Sequence, residues 1–471
     1  MKEHLERELK LAPGDGFRVH ELGGEPLPTR VFVSTYHDTP DLRLAQHGLT
    51  FRHRVEDGTG LWQLKLPRGS ARLELERQGP PARPPEEMVA LLGAFLRGEE
   101  LVPVARLRTR REGVHLDGAE VVEDSVAVLE AQHVTRRFRE LEIELLDGDE
   151  RTLRRLEKAL RRAGAEEGTF LPKLYRALDL AYPEERPPLD PDAPPGEALA
   201  AAFRDQYERL LAHDPGTRLG SDPEDLHQLR VATRRLRAFL RAGRPLLDRP
   251  WAESLRAELG WLGSALGPAR DLDVLVEHLR EEVGELGADA GAAAGLLESF
   301  DEERARAREA VVEALSSDRY LGLLDRVEAA AAAPRLAGDG KTRLAEIWWR
   351  EWKRTRAAFD ALGEEPPDDE LHASRIRVKR ARYAAELAAH ELGRKGKGFV
   401  SAAKALQDVL GEHQDAVVAE ERIRAWADGR PEAAGAAARL VELERDRRAE
   451  ARAAWPAAWD ELRRRARKAK P

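Results

Sequence analysis

Glu6, Glu8 and Lys10 stand two residues apart in the segment Leu5-Glu6-Arg7-Glu8-Leu9-Lys10-Leu11. On an extended chain they share one face, while Leu5, Leu9 and Leu11 share the other. The spacing recurs downstream, where Glu140, Glu142 and Glu144 face one way and Leu141, Ile143 and Leu145 the other. Between these segments come Arg52 and Arg54, Lys65, Arg72 and Glu74, and then Arg106, Arg108 and Arg110. One such strand by itself reads as the wet face of a half-buried sheet. Here the signs are segregated, with carboxylates on the first and a late strand and Arg and Lys on the middle ones. A closed lumen lined in this way is self-destabilising when empty, and becomes sensible around a divalent cation and a polyanion. Carboxylates suit the hard ions Mg²⁺ or Mn²⁺, and Arg and Lys suit phosphoryl oxygens.

A second set of charges lies far downstream and is read twice. His227, Arg230, Arg234, Arg237 and Arg241 follow one another at intervals of three and four, which on a helix makes one basic stripe. The set His227, Arg230, Arg234, Arg235 and Arg237 returns as His372, Arg375, Lys379, Arg380 and Arg382, each displaced by one interval (372 − 227 = 145). Leu266-Gly267-Pro268-Ala269-Arg270-Asp271 returns as Leu410-Gly411-Glu412-His413-Gln414-Asp415 at nearly that offset (415 − 271 = 144). Charged helical faces ordinarily alternate signs, because like charges at these spacings repel. The same repulsion in both copies points to an external anion. Asp271, Asp273 and Asp415 either orient the basic side chains or cap helices.

The elements that carry these sets follow from the pattern around them. At 471 residues the chain is long enough for two or three domains. The seam is Pro183 to Pro195, PEERPPLDPDAPP, which can build neither helix interior nor central strand. Before it, short alternating segments such as Leu5–Leu11, Arg30–Tyr36, Leu49–Val55, Leu61–Leu66 and Arg139–Leu145 predict a mainly antiparallel sheet, with helices over Pro85–Leu96 and Glu150–Arg162. After it, long Ala, Leu, Glu and Arg runs predict an all-helical half built from two copies of one unit. The expected class is α+β followed by all-α, with domains at 1–182 and 196–471 around a linker at 183–195, the repeats spanning about 196–335 and 336–471.

Composition removes several function classes. With 78 Lys and Arg against 86 Asp and Glu, the mildly acidic balance argues against a general nucleic-acid or membrane-surface binder. No window has the apolar length of a membrane span, and the charged start MKEHLERELK offers no signal-peptide core. The absence of cysteine rules out disulfides and thiolate chemistry and suits a reducing compartment. A cytoplasmic location is expected.

Glu6-Arg7-Glu8-Leu9-Lys10 resembles the ExExK signature of the CYTH, or triphosphate tunnel metalloenzyme, family. Tyr36-His37-Asp38-Thr39, Leu49 to Arg54, Trp62 to Lys65, Arg106 to Arg111, Asp124, Glu140 to Glu144 and Lys173 follow in family order over about the first 180 residues. The resemblance implies an eight-stranded antiparallel tunnel with flanking helices, open at both ends, in which a triphosphate threads beside Mg²⁺ or Mn²⁺. It assigns Glu6, Glu8, Glu142 and Glu144 to the metal and Lys10, Arg52, Arg54, Lys65, Arg108, Arg110 and Lys173 to phosphoryl oxygens, with Glu6, Glu8 and Lys10 at the chemistry. The duplicated histidine-led stripe resembles the CHAD (conserved histidine α-helical) domain over about 196–471. That resemblance implies two four-helix bundles whose central basic groove binds inorganic polyphosphate through His227, Arg230, Arg234, Arg237, His372, Arg375, Lys379, Arg382 and His413. Hydrolysis of inorganic triphosphate, with recruitment of polyphosphate or targeting to polyphosphate granules, is the expected function. Hydrolysis of an organic triphosphate such as thiamine triphosphate, and a non-catalytic polyphosphate scaffold, stand beside it as alternatives.

Overall fold

Alternation of charged and apolar residues turns the N-terminal part of the chain into one sheet, and helical periodicity turns the rest into packed helices. The computed structural model describes residues 1–471 except 70, 148, 169–170, 184–185, 288–289 and 338–341. It divides into two compact units, Met1–Arg186 and Pro187–Pro471. Of the expected linker, residues 184 and 185 lie outside the described residues, and a helix begins at its last residue, Pro195.

The described residues of the first unit form ten antiparallel strands: β1 (Lys2–Glu6), β2 (Glu8–Pro13), β3 (Glu25–Asp38), β4 (Thr50–Glu56), β5 (Thr59–Arg68), β6 (Ala71–Gln78), β7 (Val102–Leu116), β8 (Ala119–Glu130), β9 (His133–Leu145) and β10 (Ala165–Glu167). Their order is β1-β6-β5-β4-β3-β7-β8-β9-β2-β10, so the expected eight strands and closed ladder are corrected. The first strand is interrupted at Arg7, and three residues of β10 add a further edge. The interruption matters for the site. Glu6 pairs across to Arg72 on β6, while Glu8, two residues on, pairs with Glu144 on β9, so one short segment runs along both flanks of the curled sheet.

Among the described residues five α-helices accompany the sheet: α1 (Arg43–Gln46), α2 (Glu86–Ala90), α3 (Gly93–Leu96), α4 (Glu150–Arg162) and α5 (Lys173–Leu178). The expected helix over Pro85–Leu96 is thus two short ones. On α4, Asp149 caps the first turn, and Leu153, Leu156 and Leu160 pack on Leu11, Val121, Leu141 and Ile143 of the sheet's outer face. Burying these side chains, each of which contributes about 2 kcal/mol, commits the alternate residues of β2 and β9 to the inside. The helix α5 corrects another expectation. Its Leu174 and Tyr175 pack with Tyr36, Leu107, Val126 and Val128, which share a face with Arg111 and Asp124 through the β3, β7 and β8 register. That end of the lumen is filled by apolar side chains, not open.

The second unit consists of α6 (Pro195–Leu219), α7 (Pro223–Ala242), α8 (Arg249–Glu285), α9 (Ala290–Leu315), α10 (Asp318–Ala332), α11 (Leu344–Asp360), α12 (Asp368–Leu387), α13 (Ala389–Ala427, bent at Gly393) and α14 (Ala434–Ala469). The duplication is visible in the core, where buried Phe203 and Tyr207 of α6 recur as buried Trp348 and Trp352 of α11. The copies differ from the expected pair of four-helix units. In the first, the counterpart of α14 is divided into α9 and α10, where Ser317 caps a new helix by accepting from the Tyr320 amide. The stripe-bearing helices α7 and α12 pack against each other. No helix among the described residues is long and apolar enough to cross a membrane.

Candidate functional site

The inner face of the sheet encloses a cavity of about 410 Å³. Glu6, Glu8 and Lys10 reach it from the broken first strand, Arg52 and Arg54 from β4, Lys65 from β5, Glu142 and Glu144 from β9, and Lys173 from the first turn of α5. Arg108 and Arg110 do not. Both are exposed, and Arg110 pairs with Glu112 at 2.8 Å on the outside. The inward set of β7 is Leu107, Thr109 and Arg111, and Arg111 is the guanidinium the cavity receives. Counting by twos gives two sets on any strand, and the cross-strand register selected the other one here.

Two charge networks occupy the lumen. In the first, Asp124, Glu140 and Glu142 place carboxylate oxygens within 4.8 Å of one another. Protein cations already fill that space: the Lys173 ammonium lies 2.9, 2.6 and 2.8 Å from the three carboxylates. Arg111 bonds Asp124 through two nitrogens at 2.8 and 2.7 Å and Glu142 at 2.6 Å. Lys10 reaches the same Glu142. Burial works against the Lys10 charge but is outweighed by Glu142, Glu8 and Glu140, which hold the ammonium above its ordinary range. Burial likewise opposes ionisation of Glu142, yet Lys10, Lys173 and Arg111 hold its carboxyl well below the usual range. This network is balanced without help.

The second network is not. Lys65 bonds Glu6 at 2.5 Å and lies 3.3 Å from Glu74. Glu144 pairs in register with Glu8, and its carboxyl is raised above the ordinary value by burial and then by the nearby Glu6. On the facing strands, Arg52 donates to Gln63 at 2.9 Å and to the Tyr36 hydroxyl at 3.2 Å, and Arg54 stacks 4.4 Å over the Phe32 ring. Burial and the adjacent Arg52 push the Arg54 guanidinium below its usual range, although Glu56 partly offsets them. Arg30, with bonds of 2.5 and 2.8 Å, is the main cause holding that same Glu56 down to about 2. Carboxylates crowd one wall and guanidiniums the other, so the crowded carboxylates fit a divalent cation and the crowded guanidiniums a polyanion.

Arg111, Arg30 and Glu74 are lumen residues that the residue-type reading left out of the site. Arg111 and Glu74 were visible as members of charged runs, and only the register shows which way they point. Asp124 and Glu140 belong to the first network beneath the cavity wall.

In the helical unit, Arg234 and Arg237 of α7 and Lys379 of α12 line a cavity of about 490 Å³ together with Arg241, Arg256 and Arg380. One stripe arginine in each copy is seated by a glycine and an aspartate from the next helix. Arg230 lies against Gly267 and donates to Asp271 at 2.8 Å. Arg375 lies against Gly411 and is attracted by Asp415. At Gly411 the missing Cβ leaves room for the guanidinium, and in both copies the aspartate of the motif attracts that group. Among the described residues, the buried Nε atoms of Arg234, Arg237 and Arg375 have no hydrogen-bond acceptor. Lys379 is pushed down to about 7, first by burial and then by Arg375, Arg234, Arg230 and Arg382. His227 is partly buried among Arg270, Arg234 and Arg230, while His372 is exposed and Arg382 stacks 4.8 Å over the Tyr383 ring. His413 does not face the stripe. It is buried, with Nε2 3.1 Å from Asp368 at the start of α12. A side chain on α13 that points into the helix packing cannot also reach the groove.

Comparison with known proteins agrees with this division. A model of the CYTH domain matches residues 4–175, and a model of the CHAD domain matches residues 201–424. Rv2226 of Mycobacterium tuberculosis, an uncharacterized protein, is 31% identical over 438 residues, covering 85% of this chain and 83% of the relative. Among solved structures, PptA from Streptomyces chartreusis is similar over 57% of this chain and 100% of its own, at 24% identity and a TM-score of 0.50, a likeness of fold. The CHAD domain of Ricinus communis covers 59% of this chain and 95% of its own, at 28% identity and a TM-score of 0.49.

Proposed function

The chain belongs to the family of proteins that join a CYTH domain to a CHAD domain, and from that premise we propose that its lumen hydrolyses inorganic triphosphate with Mg²⁺ or Mn²⁺ while its helical unit binds polyphosphate. The observation that carries the reading is the sorting of charge inside one cavity. A site that only bound polyanions would gain nothing from Glu6, Glu8 and Glu144 beside its arginines.

Arg52, Arg54, Arg30 and Lys65 hold the phosphoryl oxygens, and the mutual crowding of the first two is relieved when an anion arrives. Lys10 and Arg111, kept charged by Glu142 and Asp124, bound the reacting end of the triphosphate. Glu8 and Glu144, joined by Glu6 as Lys65 turns from it to the phosphoryl oxygens, are the residues left to hold a divalent cation, because Glu142 is already neutralised by Lys10, Lys173 and Arg111. When bound there, the cation neutralises charge on the phosphoryl oxygens. Glu144 orients the water that attacks the terminal phosphorus in line. A new P–O bond forms, the bridging P–O bond breaks, and pyrophosphate and phosphate leave. The apolar packing of Leu174 and Tyr175 with Leu107 and Val126 excludes water from the far end.

The test is phosphate release from inorganic triphosphate, thiamine triphosphate, ATP and polyphosphate, each with Mg²⁺, with Mn²⁺ and without metal. Fast metal-dependent release from inorganic triphosphate is expected. No release from any of the four would overturn the reading, and preference for thiamine triphosphate would transfer it to the organic substrate.

A further inference from the structure

Duplication gives the residues of the basic stripe mates in the second copy, and several departures of charge from that pairing fall on the two mouths of the basic groove. At the centre the pairing is kept: Arg230 with Arg375, Arg234 with Lys379, and Arg237 with Arg382. At one mouth Arg241 of α7 stands by Arg380 of α12, and burial and then Arg380 push its guanidinium below the ordinary range. Arg256, Arg350 and Arg354 line the same 490 Å³ cavity, with Glu351 as the one carboxylate among its lining residues.

The other mouth carries the mates of these residues, and its charge is different. Glu386 stands where symmetry calls for Arg241, and Asp205 where it calls for Arg350. Neither Val400 nor Ser401, the positions equivalent to Arg256, brings a cation. The two mates that remain cationic are Arg235 and Arg209. Arg235 lies 3.0 Å from the Glu386 carboxylate, which also lies 3.4 Å from Arg382. Arg209 donates to Gln228 at 2.8 Å and sits within the field of Arg235, Asp205 and Glu386. At the first mouth Arg244 and Arg256 share Glu253 and Arg354 pairs with Glu351, which still leaves guanidiniums in excess there, whereas the second mouth has as many carboxylates, Glu386 and Asp205, as cationic mates. A phosphate chain crossing the second mouth meets two like charges and must displace Glu386 from Arg235.

We propose that the groove is single-mouthed: linear polyphosphate enters between Arg241 and Arg380, and its end is stopped at the Arg235–Glu386 pair, so the helical unit grips a chain terminus. This rests on the reading of the helical unit as a polyphosphate binder. Glu386 is then the specificity-determining residue that separates gripping an end from passing the chain through.

The experiment titrates the full chain, without divalent cations, against linear polyphosphates of defined and increasing length. Arg241→Glu, measured in parallel, isolates the part of the binding that belongs to the groove. Groove binding should saturate at two protein molecules per polyphosphate, one per end, however long the polymer. Blocking both ends with alkyl phosphoramidates should weaken it by about tenfold or more, the worth of one charge-assisted contact. Stoichiometry that grows with length, together with indifference to blocked ends, would overturn the single mouth. Glu386→Arg, which restores the symmetric cation, should let stoichiometry rise with length. If that variant and the milder Glu386→Gln both fold by circular dichroism and both stay at two, Glu386 is not the stop. Groove binding that is absent from the unsubstituted chain, or untouched by Arg241→Glu, would instead overturn the polyphosphate reading itself.

Discussion

Arg111 and its neighbours on β7 show how one residue of parity separates a surface charge from a functional one. Arg111 pairs with buried Asp124 and Glu142, so Arg111→Ala leaves the Asp124, Glu140 and Glu142 cluster one buried cation short, with Lys173 and Lys10 as its remaining lumen partners. It should cost about 3 kcal/mol of stability and remove most triphosphate turnover. Arg108→Ala, on the exposed side of the same strand, should leave both near those of the unsubstituted protein. Thermal melts and phosphate release on the two variants check this, and equal effects would sink the inward assignment. Lys379 carries a second prediction. Its pKa of about 7 in the free groove means that an anion binding above that pH must draw a proton back onto the ammonium. Polyphosphate affinity should therefore fall as pH rises from 6 to 9, by more than in Lys379→Arg, where the charge persists throughout. The ratio of the two affinities cancels titration of the polyphosphate ends. A flat ratio would mean that Lys379 does not touch the ligand.

Between helices, the repeated glycine is where packing and binding can be told apart. An added Cβ at Gly411 would lie 3.0 Å from the Arg375 guanidinium, whereas at Gly267 it would lie 3.9 Å from Arg230, an ordinary contact. Alanine in a helix interior gains about 1 kcal/mol over glycine. Gly267→Ala should accordingly raise stability and leave polyphosphate binding alone. Gly411→Ala should displace Arg375 and weaken binding without lowering the melting temperature, and intact binding in that variant would show that the glycine serves helix packing only. A second junction, between α8 and α14, depends on pH. His278 lies 3.2 Å from Glu282 and 2.8 Å from buried Glu444, and these bonds raise its pKa to about 9 against the opposing effect of burial. Arg447 also approaches the same nitrogen, at 2.9 Å, but is itself paired with Glu412 and Glu444. A raised histidine pKa contributes stability that is complete below the ordinary 6.5 and disappears as pH rises through 9. The contribution is up to about 3 kcal/mol at the usual 1.4 per pKa unit. The helical unit should lose more thermal stability between pH 6.5 and 9 than its His278→Gln variant, followed by circular dichroism, and parallel curves would refute the pairing.

For the whole molecule, the division at Arg186 separates the two chemistries. The lumen residues from Glu6 to Lys173 all precede it, and the stripe from His227 to Arg382 follows it. A fragment ending near Tyr182 should keep hydrolysis of short substrates. In the full chain, Arg234→Glu with Lys379→Glu should abolish polyphosphate binding and spare inorganic triphosphate turnover. Phosphate release and polyphosphate titration on the fragment and the double variant test the separation, and a well-folded but inactive fragment would show that the lumen depends on the helices.

What the sequence determined by itself is whatever a local period or an internal repeat can encode. Spacing by two puts Glu6, Glu8 and Lys10 together, and displacement by a single interval pairs Arg230 with Arg375. Spacing cannot say which of two faces turns inward, because that depends on register against other strands. Hence Arg111, not Arg108 or Arg110, entered the lumen, and the first strand broke at Arg7 to serve both flanks. Contacts between distant segments were equally out of reach. Lys173 fills the centre of the Asp124, Glu140 and Glu142 cluster, Leu174 and Tyr175 fill one end of the lumen, and His413 turns into the helix packing toward Asp368. These depend on which surfaces bury one another, and burial is decided only when the whole chain has packed.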